Sequence, residues 1–159
     1  MSNVAKVESR LLVQPEKVFT SFNLMSQILP SREPFPNGRH YDLNLLDFGS
    51  LEFKIIANLF NRTFTQAQAN IESITKLRNT FVQEKFMTEF KLLATKYKGK
   101  GLTQLVKLLF HGAKGVSPEM VYESETGLDT RFSRDGNYGQ GIYFADNADY
   151  SHAYAWTEQ

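Results

Sequence analysis

The chain has 159 residues, of which 42% are hydrophobic and 13% aromatic, enough to bury one domain-sized core. Its formal net charge of +1 argues against a domain whose main task is to neutralise a nucleic-acid backbone, because such domains carry a strong basic excess. The absence of cysteine excludes disulfides, cysteine-ligated zinc and thiol catalysis.

The first ten residues contain no apolar stretch of signal-peptide length, and no run along the chain approaches a membrane span. The sequence therefore predicts an intracellular protein without membrane contact, in the cytoplasm, the nucleus or an organelle-associated assembly. Residues 1–40 are predicted to be an N-terminal accessory segment, with a short helix over residues 4–12 and a proline-rich turn region after it.

The segment after this region begins with a predicted strand over residues 41–46. Ser50 is predicted to cap a helix, because a serine side chain accepts a hydrogen bond from a free N–H of the first turn. The apolar residues of this helix recur on one stripe and predict a buried face: Phe53, Ile56, Leu59 and Phe60.

A second helix is predicted to begin with Thr80 and Gln83, which have the spacing of a capping box. Its apolar residues recur at spacings of three and four: Val82, Phe86, Phe90, Leu93 and Tyr97. Both helices are interpreted as core scaffolding.

Residues 105–110 form a short apolar run between glycines, typical of a strand buried on both faces. Ser117 and Pro118 predict the start of a short helix, with serine at the cap and proline at the first position. Residues 126–141 are polar and contain glycines, which predicts a loop. A further strand is predicted to begin at Ile142, and a helix over residues 147–155.

The sequence predicts neither a Rossmann phosphate loop nor a metal site. The glycines at positions 136, 139 and 141 precede a predicted strand instead of following one, so they do not form a Rossmann phosphate loop. His40, His111 and His152 have no pair at metal-ligand spacing, and no metal is predicted.

Three motifs in the second half of the chain occur in a recognisable order. The apolar run ends in His111 and Gly112, residues 138–146 read YGQGIYFAD, and residues 150–154 read YSHAY. In order and spacing these motifs resemble the catalytic domain of the poly(ADP-ribose) polymerases, which are diphtheria-toxin-like ADP-ribosyltransferases. Residues 50–63, 70–79 and 81–90 resemble the start of the same domain, especially in its mono-ADP-ribosylating branch.

The resemblance covers residues 41–159 and implies an α+β protein with the ADP-ribosyltransferase fold, a split antiparallel β half-barrel or sandwich with flanking helices.

For residues 71–77, the spacing of apolar residues and the resemblance predict different secondary structures. The spacing of Ile71, Ile74 and Leu77 alone indicates a helix. The resemblance implies a strand, and a strand is predicted.

The resemblance further implies that NAD+ is the substrate and that five residues bind it. In the family, the residue matching His111 hydrogen-bonds the nicotinamide ribose or the adjoining diphosphate, and the one matching Tyr143 holds the ribose side. Those matching Gly112 and Ser151 hydrogen-bond the carboxamide, and the one matching Tyr154 stacks on the nicotinamide ring. His111 and Tyr143 are the implied catalytic residues.

Cleavage at the nicotinamide ribose breaks a glycosidic bond through a transition state with oxocarbenium character. Nicotinamide leaves as a neutral molecule, so the site must orient the substrate and place a carboxylate near the developing positive charge. If residues 147–155 are helical, Ser151 and Tyr154 lie on one face, where one reaches the amide and the other the ring.

The match departs from the family at three points. Ala113 replaces the Ser or Thr that usually follows the His-Gly pair, and Gln140 replaces a common Lys. The third signature residue of the family lies beyond Gln159, and Glu158 is a poor substitute because it follows the predicted pocket helix directly. The sequence therefore predicts a C-terminally truncated domain whose sheet has an open edge unless a partner chain or residues 1–40 complete it.

Two main hypotheses follow for the function. The first is an NAD+-dependent mono-ADP-ribosyltransferase, or part of one, acting on a protein or nucleic-acid acceptor. The second is a non-catalytic relative that serves as a structural or binding subunit of a larger assembly. An unrelated mixed α/β adaptor, in which the motifs are core residues, is a third alternative.

Overall fold

The computed structural model describes residues 35, 38–66, 70–100, 102–133 and 135–157. The predicted accessory segment, apart from its last residues, lies outside this range, and so do the predicted helix over residues 4–12 and Glu158. Within the described residues, no helix combines the length and the apolar character needed to cross a membrane.

An antiparallel pair of strands opens the described region, β1 (Tyr41–Leu45) and β2 (Thr75–Asn79), with Leu43 opposite Leu77. The strand predicted over residues 41–46 is thereby confirmed, whereas the one predicted over residues 71–77 is confirmed only from Thr75 onward. Burial alternates along β2: Thr75 and Leu77 are exposed, whereas Lys76 and Arg78 are partly buried. These two side chains form ion pairs, Lys76 with Glu52 at 3.0 Å and Arg78 with Asp42 at 2.7 Å.

Between these strands lies α1 (Leu51–Thr63), which begins where the sequence predicts. Ser50 caps it, because its Oγ accepts a hydrogen bond from the N–H of Phe53 at 3.1 Å. Phe53 is buried. At the other end of the helix, the Phe60 ring lies 6.2 Å from the Phe110 ring.

The cap of the next helix, α2 (Thr80–Lys96), differs by one residue from the prediction. Asn79 and not Thr80 is the N-cap, and its Oδ1 accepts from the N–H of Val82 at 3.2 Å. The Thr80 hydroxyl donates instead to the carbonyl of His40 at 3.1 Å, and Gln83 Oε1 is buried with no hydrogen-bond partner among the described residues. The predicted capping box is therefore wrong.

The predicted buried strand over residues 105–110 is also wrong. Leu102–Leu105 forms a helical turn, α3, and Phe110 makes an isolated bridge with Ala145. Leu108 and Leu109 are 50% and 45% exposed. A strand buried on both faces needs neighbouring strands on both sides, whereas one residue of this segment pairs with a single partner residue. Of the strand predicted to begin at Ile142, the structure shows the single bridge of Ala145 with Phe110.

The short helix α4 (Pro118–Tyr122) has Ser117 at its N-cap position and proline in its first turn, as predicted. The predicted loop over residues 126–141 contains a 3-10 turn at Thr130–Phe132 and a hairpin of β3 (Asp135–Gly136) and β4 (Gly139–Gln140). The last helix, α5 (Ala148–His152), is shorter than the predicted helix over residues 147–155. Asn147 is its N-cap and Ala153 is its C-cap. Tyr154 lies in the turn after α5, so the prediction that Ser151 and Tyr154 share one face of a helix is wrong.

Helices together with two small antiparallel sheets make the described region an α+β structure. The half-barrel stays a prediction. The buried apolar side chains in this region lie around β1, the first turn of α1 and the start of α5. The polar side chains of Asn79 and Ser151 are buried with them.

Candidate functional site

A cleft of about 530 Å³ lies between the segment after Phe110, the 127–138 loop and hairpin, and α5 with its following turn. This volume is in the range of small-molecule sites. All five sequence-predicted site residues line it: His111, Gly112, Tyr143, Ser151 and Tyr154. They come from three segments that are separate in the sequence.

The bridge between Phe110 and Ala145 places His111 beside the chain segment that carries Tyr143. His111 Nδ1 lies 2.8 Å from the carbonyl oxygen of Tyr143. Because a carbonyl can only accept, Nδ1 carries the proton of the neutral ring and Nε2 is left as an acceptor. The His111 side chain is exposed, so this acceptor is available to a hydroxyl group in the cleft.

Gly112 packs against the turn that follows α5. A Cβ built on Gly112 would overlap the carbonyl oxygens of Ser151 and Tyr154. The N–H of Lys114 donates to the Tyr154 carbonyl at 2.9 Å and holds the two segments together. The glycine is thus required by a close approach of the chain to itself.

Besides Tyr138 and Tyr143, the cleft is lined by two tyrosines of the last segment. Tyr150 and Tyr154 are 52% and 48% exposed, and their ring centroids are 5.5 Å apart. Hydrogen bonding with the Tyr154 side chain is the main cause that raises the pKa of Tyr150 above its usual value. Sequence reasoning missed Tyr150: a spacing of four places two rings on one face of a helix, but α5 ends before Tyr154, so this spacing carried no reliable signal.

Tyr143 supports the hairpin with its hydroxyl, which donates to the carbonyl of Gly139 and accepts from the N–H of Tyr138 at 3.2 Å. A Cβ on Gly136 would lie 2.8 Å from the Tyr143 ring, and Gly139 has φ of +90°. These two glycines therefore serve the hairpin and its contact with the tyrosine.

The replacement Tyr143→Phe is expected to remove both hydrogen bonds and to destabilise the hairpin by about 1 kcal/mol. Amide hydrogen exchange of Tyr138 should become several-fold faster. The matched control is Tyr138→Phe, because that side chain is 90% exposed. Equal exchange in wild type and Tyr143→Phe would show that the hydroxyl does not hold the hairpin.

A carboxylate that the sequence analysis did not single out lies in the cleft wall. Asp129 caps the 3-10 turn by accepting from the N–H of Arg131 at 2.8 Å, and its other oxygen accepts from the Arg131 guanidinium at 2.6 and 2.9 Å. These bonds hold the pKa of Asp129 below its usual value. Asp135, exposed at the start of the hairpin, is the second carboxylate among the described lining residues.

No group of three or more His, Cys, Asp or Glu side chains with metal-binding geometry occurs in the part of the chain that the structure describes.

Comparison with known proteins is consistent with this geometry. A family model described as the poly(ADP-ribose) polymerase catalytic domain matches residues 50–159. A protein of Dictyostelium discoideum, named as a probable poly(ADP-ribose) polymerase, is 36% identical over 110 residues. That match covers 69% of this chain and 32% of the relative, so it spans about a third of the relative's length.

Proposed function

The chain belongs to the poly(ADP-ribose) polymerase catalytic-domain family, and from that premise we propose that it binds NAD+ in the cleft and transfers single ADP-ribose units to an acceptor. The observation that carries the proposal is the convergence of five residues from three segments on one cleft. Four of the five, His111, Gly112, Ser151 and Tyr154, offer groups that can bind a nicotinamide nucleotide, whereas the Tyr143 hydroxyl is engaged within the hairpin.

The nicotinamide end has suitable partners. Among the described residues, the N–H and C=O of Gly112 take part in no backbone hydrogen bond, so this donor and acceptor can pair with a carboxamide. The Ser151 hydroxyl lies on the same wall, and Tyr150 and Tyr154 offer ring faces to a flat heterocycle. His111 Nε2 is placed to accept from a ribose hydroxyl.

The carboxylates in the cleft favour slow, single transfer. Bond cleavage at the ribose needs negative charge near the developing oxocarbenium ion. Of the two carboxylates among the described lining residues, Asp129 is already engaged by Arg131. Asp135 lies exposed at the hairpin. We therefore expect slow release of nicotinamide, weak mono-ADP-ribosylation and no polymer.

Mass spectrometry of the 159-residue chain and candidate protein acceptors, after incubation with NAD+, tests this proposal. The expected products are free nicotinamide and at most one ADP-ribose unit per modified site. Extended ADP-ribose chains would contradict single transfer. Asp129→Asn and Asp135→Asn then identify which carboxylate contributes, since each substitution removes one negative charge from the cleft.

A non-catalytic binding function is the second candidate, and the engagement of Asp129 by Arg131 favours it, together with Ala113 in place of a hydroxyl residue. In that case NAD+ binds but nicotinamide is not released. The same incubation separates the two functions, because only the enzyme changes the NAD+ concentration. A partner chain that completes the sheet is compatible with either function.

His111→Ala is expected to weaken NAD+ binding about five- to tenfold, through loss of one hydrogen bond. Isothermal titration measures the change, and the melting temperature should stay near that of wild type because the side chain is exposed. His40→Ala is a control for affinity alone, since His40 does not line the cleft but packs against the Phe81 ring and hydrogen-bonds the Glu123 carbonyl. A His111→Ala protein that fails to fold would instead identify His111 as a structural residue.

A further inference from the structure

The C-terminal end of α1 contacts two of the three segments that carry the site residues, the one before His111 and α5. Its Phe60 ring faces Phe110, immediately before His111. The Thr63 hydroxyl accepts a hydrogen bond from the N–H of Ala148 at 2.9 Å. Two residues after the helix, Thr65 donates both its backbone N–H, at 3.0 Å, and its hydroxyl to the same oxygen of Asp149. None of these contacts lies in the cleft lining.

These bonds matter because α5 is very short. A helix of five residues gains too little from its own hydrogen bonds to hold its position in water, so contacts from outside must place it. The Asp149 carboxylate receives two hydrogen bonds from Thr65, and bonds to a charged acceptor are the stronger kind. Its other oxygen is buried without a partner among the described residues, so this carboxylate depends on Thr65.

Asp149 immediately precedes the site residues on α5. Tyr150 and Ser151 follow it in the same turn, and the N–H of Tyr154 donates to the Ser151 carbonyl at 3.0 Å. A shift of Asp149 relative to α1 therefore moves the buried Ser151 hydroxyl and both tyrosine rings relative to Gly112. The carbonyls of Ser151 and Tyr154 already touch Gly112, so the cleft leaves little room for such a shift.

We propose that Thr65 and Asp149 are positioning residues for the nicotinamide end of the cleft: their paired hydrogen bonds fix α5, and through it the orientation of Ser151 and Tyr154. This inference rests on the proposed binding of NAD+. Neither side chain touches the ligand, so the pair acts on affinity only through the placement of the helix.

The test uses Thr65→Val, which keeps the side-chain volume and the backbone N–H but removes the hydroxyl donor. NAD+ affinity should fall about five- to tenfold, less than the full effect of one lost charge-assisted hydrogen bond, because the pair acts on the ligand only through the helix. Thr65→Ser restores the hydroxyl and should return the affinity to within twofold of wild type. Thr88→Val is the matched control, because the Thr88 hydroxyl is exposed and bonds within α2 to the Glu84 carbonyl.

A second readout needs no NAD+. Amide exchange of Ser151 and Tyr154 should become several-fold faster in Thr65→Val and return to the wild-type rate in Thr65→Ser, while the overall melting temperature changes little. Unchanged exchange in a folded Thr65→Val protein would overturn the positioning role, as would weakened NAD+ affinity that serine does not rescue. A wild-type chain that binds no NAD+ would overturn the proposed function, and the exchange rates would still decide whether Thr65 holds the helix.

Discussion

Replacing Gly112 with alanine is expected to destabilise the protein by about 1–3 kcal/mol and to lower NAD+ affinity by at least tenfold, the effect of forcing a side chain into a filled space. The new methyl group would meet the carbonyl oxygens of Ser151 and Tyr154, which belong to the backbone and cannot rotate away. The turn after α5 must therefore move, and the cleft wall moves with it. Chemical denaturation and isothermal titration measure the two effects.

Gly141→Ala is the control for stability, because a Cβ at that position would have no atom within 4 Å. It should unfold at nearly the same denaturant concentration as wild type. If Gly112→Ala were as stable as Gly141→Ala, the backbone of the turn would have to lie farther from Gly112 than it does in the structure.

The second large effect is expected from Asn79→Ala, with a loss of about 2–4 kcal/mol. The side chain is buried, caps α2, and donates to the carbonyls of Tyr122 and Ser124 at 3.2 and 2.9 Å. Loss of an N-cap costs about 1 kcal/mol, and loss of each of the two hydrogen bonds that the buried Asn79 amide donates adds about 1 kcal/mol. Denaturant unfolding followed by circular dichroism measures the change in free energy.

Asn61→Ala is the matched control, an exposed asparagine in α1, and should change stability by less than about 0.5 kcal/mol. Asn79→Asp separates the two contributions. It retains the acceptor for the N–H of Val82 but turns an oxygen toward the two carbonyls. If Asn79→Asp were as stable as wild type, the cap alone would account for the importance of Asn79.

Local features of the fold could be predicted from the sequence. Ser50 and Ser117 mark helix starts correctly because a cap depends on a few neighbouring residues. Features that depend on distant partners could not be predicted. The apolar run over residues 105–110 has the composition of a buried strand, yet strand formation requires neighbours that the composition does not specify. Asn79 takes the cap from Thr80 because it also reaches Tyr122 and Ser124, more than forty residues away.

In the candidate site, too, some residues could be predicted from the sequence and others could not. Its five residues could be recognised because the motifs keep characteristic order and spacing. The second tyrosine, Tyr150, and the engaged carboxylate of Asp129 could not, since both depend on the path of the chain around the cleft. The same holds for the bonds from Thr65 to Asp149, which join residues 84 positions apart.

The central claim is that this cleft receives the nicotinamide end of NAD+, and an NMR titration of the isotope-labelled chain with nicotinamide tests it most directly. The account predicts that the largest amide shifts fall on Gly112, Ser151 and Tyr154, and that NAD+ displaces the nicotinamide. Shifts confined to residues outside the cleft, or no saturable shifts at millimolar nicotinamide, would contradict it.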